Sequence, residues 1–258
     1  MSVKQGLTGS TLKIIAMISM LIDHFGAAVL GRYLTGVGFL TAIQSENTFL
    51  TWKASYGELY LLYWITRGIG RIAFPIFCFL LVEGCYHTKS VKKYGIRMAL
   101  FALLSEIPFD LAFQNTFLEF TYQNVFFTLT IALVTIAACR KIAESTTKKP
   151  IIKCLLQLGC LFLGMVVAQL LHTDYGAFGV FAVWILYLFY GRGKQMLTAG
   201  VLTFLWEVTA PFAFVPIKYY NGKRGISLKY FFYLFYPLHI ILLYLLCVML
   251  GIFGNEAL

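Results

Sequence analysis

Of the chain's 258 residues, 60% are hydrophobic, 17% aromatic and only 12% charged, and the mean hydropathy is +0.79. Soluble domains carry roughly 25% charged residues, so a water-facing surface is excluded, and the expectation is one transmembrane domain over residues 1–258: an all-α bundle of about eight to ten spans in a lipid bilayer. The formal charge of +10 would suggest nucleic acid in a soluble protein, but here Lys and Arg gather in short loops between apolar runs, the positive-inside pattern, so no nucleic-acid partner is expected.

The first apolar run, Leu12 to Leu30, contains Asp23 and His24 and no small-residue cleavage site, so it reads as a retained span. Lys4 and Lys13 place the amino terminus in the cytoplasm of a multi-pass cell-membrane protein. Thr35 to Tyr56 is weakly polar and reads as an external excursion with an interfacial helix. Glu58 to Tyr86 exceeds one span and carries Arg67, Gly68, Gly70, Arg71 and Pro75, which predicts a broken or tilted helix or two short ones. Spans Met98 to Phe113 and Val125 to Cys139 follow between basic loops, then Ile151 to Leu171, a tight turn over His172 to Gly176, and Ala177 to Tyr190. Met196 to Ile217 resembles a single span, yet it ends in Lys218, Lys223, Arg224 and Lys229. Either Trp206 to Pro211 turns a re-entrant hairpin, aided by Pro211 and Pro216, or those cations serve a site. The last span is Leu228 to Gly251. The six cysteines form no C-x-x-C pair and read as packing residues; neither they nor any H-E-x-x-H pattern implies a metal.

Ionisable residues inside hydrocarbon are rare and usually functional. Lys13 and His24 lie eleven residues apart, close to three helical turns, so they share one face about 16 Å apart along the axis. A cation at the cytoplasmic edge below a mid-membrane imidazole suits an extended acyl-CoA, its phosphates near the cytoplasm and its thioester in the bilayer. Imidazole can serve as base or nucleophile there. The plainer reading is an interfacial lysine and a packed histidine. Asp23 lies roughly 100° around the helix from His24, so its expected partner is Arg67 or Arg71. Those arginines, four apart, can hold one anion or satisfy separate carboxylates. Glu106 and Asp110 flank Pro108 on one face, where they can orient the histidine, bind a cationic acceptor amine, or pair with the arginines. His239 is a second intramembrane histidine, Glu207 needs a partner, and Asp174 either serves a site or caps the next helix. Lys223 and Arg224, with Gly222, Lys89, Lys92 and Lys93, can clamp phosphates, although topology alone explains the lysines near residue 90.

Several segments, taken in order, resemble the TraX family, membrane proteins associated with amino-terminal acetylation of conjugative pilin. They are Leu12-Lys13-Ile14 through Ile22-Asp23-His24, Arg71 to Phe77, Ser105 to Asp110, Gln123 to Leu129, Thr173 to Gly176, Asn221 to Gly225, and Phe232-Tyr233 through Tyr236-Pro237-Leu238-His239. More distantly, the Lys13 to His24 spacing is similar to that of the type 3 integral-membrane acyltransferases, whose first span carries a basic residue, ten others and a histidine. The resemblance implies an acetyltransferase taking acetyl-CoA as donor. His24 would be catalytic, aided by Asp23 and His239. Lys13, Arg67, Arg71, Lys223 and Arg224 would hold the donor, and Glu106, Asp110 and Asp174 the acceptor: a peptide amine, glycan or small molecule. The rival expectations are a small-solute or proton-coupled transporter, for which no inverted repeat is visible, and a non-catalytic assembly partner for surface export.

Overall fold

The computed structural model describes residues 6–227, 229–254 and 257; Lys4 and Leu228 lie outside them. Helix α1 (Gly9–His24) begins where Thr8 caps it by accepting the Thr11 amide. It runs into a π-helical turn, Phe25–Leu30, and then α2 (Gly31–Gly36), forming one rod of 28 residues. After the short α3 (Phe39–Ala42), α4 (Glu46–Gly70) starts at a Ser45 cap, breaks at Arg71 and Ile72, and resumes as α5 (Ala73–His87). Within the stretch expected as an external excursion, Thr35 to Tyr56, lie α3 and the first turns of α4.

The chain continues as α6 (Val91–Phe113), capped by Ser90, α7 (Val125–Glu144), capped by Asn124, α8 (Pro150–Leu170), opened by a proline whose missing amide is harmless there, and α9 (Gly176–Leu188). Helix α10 (Lys194–Thr203) turns over at residues 204–209 and returns through a short 3₁₀ turn, Ala210–Ala213, into α11 (Phe214–Lys218). The last helix is α12 (Lys229–Met249). Among the described residues five helical stretches are long and apolar enough to cross a membrane: 9–36, 46–87, 125–144, 150–170 and 230–249. Together with α6, the shorter apolar α9 and the α10–α11 pair, eight segments are embedded in the polytopic bundle.

The α10–α11 pair is the re-entrant hairpin. Its return loop lies at the amino-terminal end of α1, where the Leu7 amide donates to Tyr219 O at 2.8 Å and the Gly9 and Ser10 amides donate to Lys223 O and Arg224 O. Residues 218–227 thus sit on the same side as the amino terminus, which the positive-inside rule requires of so basic a loop. The hairpin's turn is tied to the end of α4 by the Thr209 hydroxyl, which donates to the Gly68 carbonyl at 2.7 Å.

The main core lies between α1, α5, α7, α9, α11 and α12, around Ile76, Val82, Leu133, Val180, Phe204 and Ile240. Two close approaches define it near the middle of the bundle. Any Cβ at Gly70 would collide with Asp23, and any at Gly26 with Thr66, so α1 and α4 touch backbone to side chain at the level of His24. Cys78 and Cys85 are buried within this packing, and Cys139 and Cys247 are buried elsewhere in the bundle.

Candidate functional site

The site begins where the α-helical hydrogen-bond pattern of the first span widens into a π turn just after His24. Such turns are common at functional positions because they displace side chains from the regular helical stagger. The His24 ring meets that of His239 from α12, with Nδ1 of His24 2.8 Å from Nε2 of His239. The ring planes lie 9° apart. Nδ1 of His239 lies 2.7 Å from the carbonyl oxygen of Phe235. A carbonyl only accepts, so His239 carries its proton on Nδ1 and offers a lone pair at Nε2. His24 must then donate from its own Nδ1. In the neutral pair this leaves Nε2 of His24 with an unprotonated lone pair. Phe113 and Tyr236 pack edge-on against the His24 ring at 5.4 and 5.9 Å.

Beside the histidines lies a charged network assembled from four elements. Asp23 pairs with Arg67 of α4 at 2.7 Å, and Arg71, at the α4–α5 break, pairs with Glu207 at the tip of the re-entrant hairpin at 3.2 Å. Asp174 accepts the Tyr122 hydroxyl at 2.6 Å, and Tyr175 hydrogen-bonds Arg71. The 172–175 turn carries strained backbone, with His172 at φ 50° and Tyr175 at φ 62°. The stacking of Tyr175 on Phe74 at 3.6 Å and the parallel bridge from Thr173 to Gln123 hold that strain in place. Burial pushes the Asp174 carboxyl up to about 6, partly opposed by the Tyr122 hydrogen bond. Among the described residues four carboxylate oxygens are buried without a hydrogen-bond partner: Asp23 Oδ1 and Glu207 Oε2 in this network, and Glu106 Oε1 and Asp110 Oδ1 on α6.

Glu106 and Asp110 serve neither the histidines nor the arginines. Glu106 accepts the backbone and side-chain amides of Asn124, and Asp110 accepts the Glu119 amide at 2.9 Å, so the pair pins the 114–124 loop and the start of α7. The loop's other end is held by Arg32, which donates to Asn115 Oδ1 and to the carbonyls of Ala112 and Phe253. Composition gives Arg32 no distinction from a loop cation; its 1% exposure reveals the role.

At the amino-terminal end of the bundle opens a cavity of about 660 Å³, lined among others by Lys13, Lys89, Arg97, Arg224, Tyr94 and Phe232. Lys13 Nζ stands 5.0 Å above the Phe232 ring. Lys223 is exposed beside it, its carbonyl tied to Gly9. Glu83, the carboxylate on this wall, is locked by the hydroxyls of Tyr190 at 2.6 Å and Tyr220 at 2.8 Å, with His87 at 3.4 Å. Its lining also includes Met17, Phe126 and Leu129. His24 does not line it: the Tyr236 ring, 5.0 Å from that of Phe126 and 5.9 Å from that of His24, stands between. Of the residues singled out in the sequence, the structure therefore brings Lys13 and Arg224 together at the cavity. It brings Asp23, His24, Arg67, Arg71, Asp174, Glu207 and His239 together around the centre, and sets Glu106 and Asp110 to one side.

The family model described as "TraX protein" matches residues 8–247. A probable fimbrial assembly protein, FimC of serogroup H1 from Dichelobacter nodosus, is 28% identical over 263 residues, covering 90% of this chain and 92% of its own length. No solved structure matches. The match of the family model embraces both histidines, the charged network and the basic cavity: the chain belongs to the TraX family.

Proposed function

We propose that this protein is a transmembrane acetyltransferase of a fimbrial or pilus-type assembly system, carrying an acetyl group from acetyl-CoA on the cytoplasmic side to an amine or hydroxyl at the opposite side of the membrane. The observation that carries this reading is the hydrogen-bonded His24–His239 pair, whose outward nitrogen is a base and which stands between a cation-lined cavity and a carboxylate–arginine network. In this reading the amino-terminal, basic end faces the cytoplasm.

The cavity's residues fit the donor. Lys13, Lys89, Arg97 and Arg224 offer four cations for phosphate oxygens, and Tyr94 and Phe232 offer rings for a base to lie against. Arg67 and Arg71, each paired with a carboxylate, lie away from that lining and belong with the acceptor side. Bound there, acetyl-CoA supplies an activated acyl carbon. Nε2 of His24 takes the proton of the attacking acceptor, and His239, fixed by Phe235 O, holds the ring in the tautomer that leaves that nitrogen free. The buried, unpartnered oxygens of Asp23 and Glu207 favour an acceptor that arrives with hydrogen-bond donors, such as the N–H groups of a neutral amine.

The test uses full-length protein in lipid nanodiscs with radiolabelled acetyl-CoA and, as probe acceptors, a short peptide with a free amino terminus and glucosamine. Acetyl transfer by the wild type, with at least a hundredfold loss in a folded His24→Ala variant, is expected. Retention of wild-type transfer by H24A would falsify the assignment. Label trapped on the protein without acceptor would assign His24 as nucleophile instead of base. Solute uptake by proteoliposomes with no CoA released would favour a transporter.

A further inference from the structure

We propose that the hydroxyl of Tyr236 is a further catalytic group, the donor that stabilises the thioester oxygen as it becomes an oxyanion; the proposal rests on the acetyl-transfer reading. Tyr236 touches both halves of the site. Its ring forms the partition between the inner end of the basic cavity, at Phe126, and His24, and it is 3% exposed. It also lies edge-on to His239 at 5.7 Å, so it touches both members of the imidazole pair.

The phenol is not held there by apolar packing alone. The Val125 amide at the start of α7 faces its oxygen. A hydroxyl that accepts from an amide keeps its own proton to give away. Pro237 follows immediately within α12, and a proline removes the amide that would tie it to the preceding turn, which loosens the helix where this ring must let a donor pass.

The step balances without any further reactant. The acceptor nitrogen attacks the thioester carbon, the carbonyl π pair moves onto oxygen, and the Tyr236 O–H hydrogen-bonds that oxygen. When the carbonyl re-forms, the C–S bond breaks and the sulfur leaves as thiolate. The proton taken from nitrogen by Nε2 of His24 passes to that sulfur, leaving CoA and the acetylated amine. Groups aimed at a developing oxyanion in a water-poor site commonly contribute 10²–10³ in kcat.

The discriminating variant is Tyr236→Phe, which keeps the ring, the partition and the packing but lacks the proton. In nanodiscs, with acetyl-CoA and the free-amine peptide probe, Y236F should lose about 10²–10³ in kcat, while its calorimetric affinity for acetyl-CoA stays within about twofold of wild type, a margin of under ~0.5 kcal/mol. Wild-type kcat in Y236F, or a loss confined to donor affinity, would overturn the catalytic role and leave a packing or partition role. An active wild type with inactive H24A and active Y236F sinks this proposal alone. A wild type that neither binds nor consumes acetyl-CoA sinks the acetyl-transfer reading and this proposal with it.

Discussion

The Asp23–Arg67 pair offers a quantitative test of how the centre is held together. The charged atoms approach to 2.7 Å, and the side chains are 15% and 19% exposed, so most of their hydration has been given up. Removing one partner strands the other charge among protein atoms, which costs about 3–5 kcal/mol, whereas removing both strands nothing. Asp23→Asn and Arg67→Gln should therefore each lower stability by that order, while the double variant should lose far less than the sum, giving a coupling energy of roughly 2–4 kcal/mol. Because a chain of this size shifts by about 2–4 °C per kcal/mol, each single variant should melt on the order of 10 °C lower. The assay is thermal unfolding of detergent-solubilised protein followed by size exclusion, run on all four members of the cycle. Additive losses would refute the claim that this pair is a buried, mutually compensating unit, and would place the two groups in independent solvent.

Three other perturbations address separate parts of the molecule. With the Asp174 carboxyl raised to about 6 by burial, the folded state holds more protons than the unfolded one between roughly pH 4 and pH 6. Stability from this group is thus fully present below pH 4 and lost as pH climbs through 6; Asp174→Asn should flatten that slope in melting curves, and an unchanged slope would remove Asp174 as its source. Lys13→Ala and Arg224→Ala should each weaken acetyl-CoA binding about tenfold by calorimetry and reduce its salt dependence, with no effect expected from Lys148→Ala in the remote 145–149 loop. Gly70→Val should abolish folded protein yield, because its side chain enters the space of Asp23, whereas Gly159→Val, with open space around it, should be recovered at wild-type levels.

Much of the architecture is legible in the sequence because apolar run length and basic loops are local properties. The break near Arg71 and Pro75, the turn at Asp174 and the conflict between the 196–217 run and its basic loop can all be found that way, and the conflict resolves as a hairpin. What escapes is set by distance along the chain. His24 and His239 are both conspicuous as intramembrane histidines, yet nothing local tells that two rings 215 residues apart share a hydrogen bond. Glu106 and Asp110 share a helical face as their spacing requires, but the partners are amides of Asn124 and Glu119, which no charge-pairing argument names. Tyr236 is hidden for another reason: among so many aromatics, a ring at a junction looks like any other. In the weakly polar 35–56 stretch a helix forms without a uniformly apolar sequence because Trp52, Phe49 and Tyr60 pack against one another and against Phe39.

The bridge from Leu7 to Tyr220 bears on how the molecule is made. One wall of the basic cavity is the entrance to the first helix, while Tyr220, Gly222 and Arg224 on its other side are translated more than two hundred residues later. During synthesis the early helices settle in the bilayer with that mouth unroofed, and the chamber gains its lid only when the late hairpin doubles back. A ribosome that stops short of the hairpin therefore releases an inserted protein whose basic cavity is still open on one side, so that cavity is completed only near the end of manufacture.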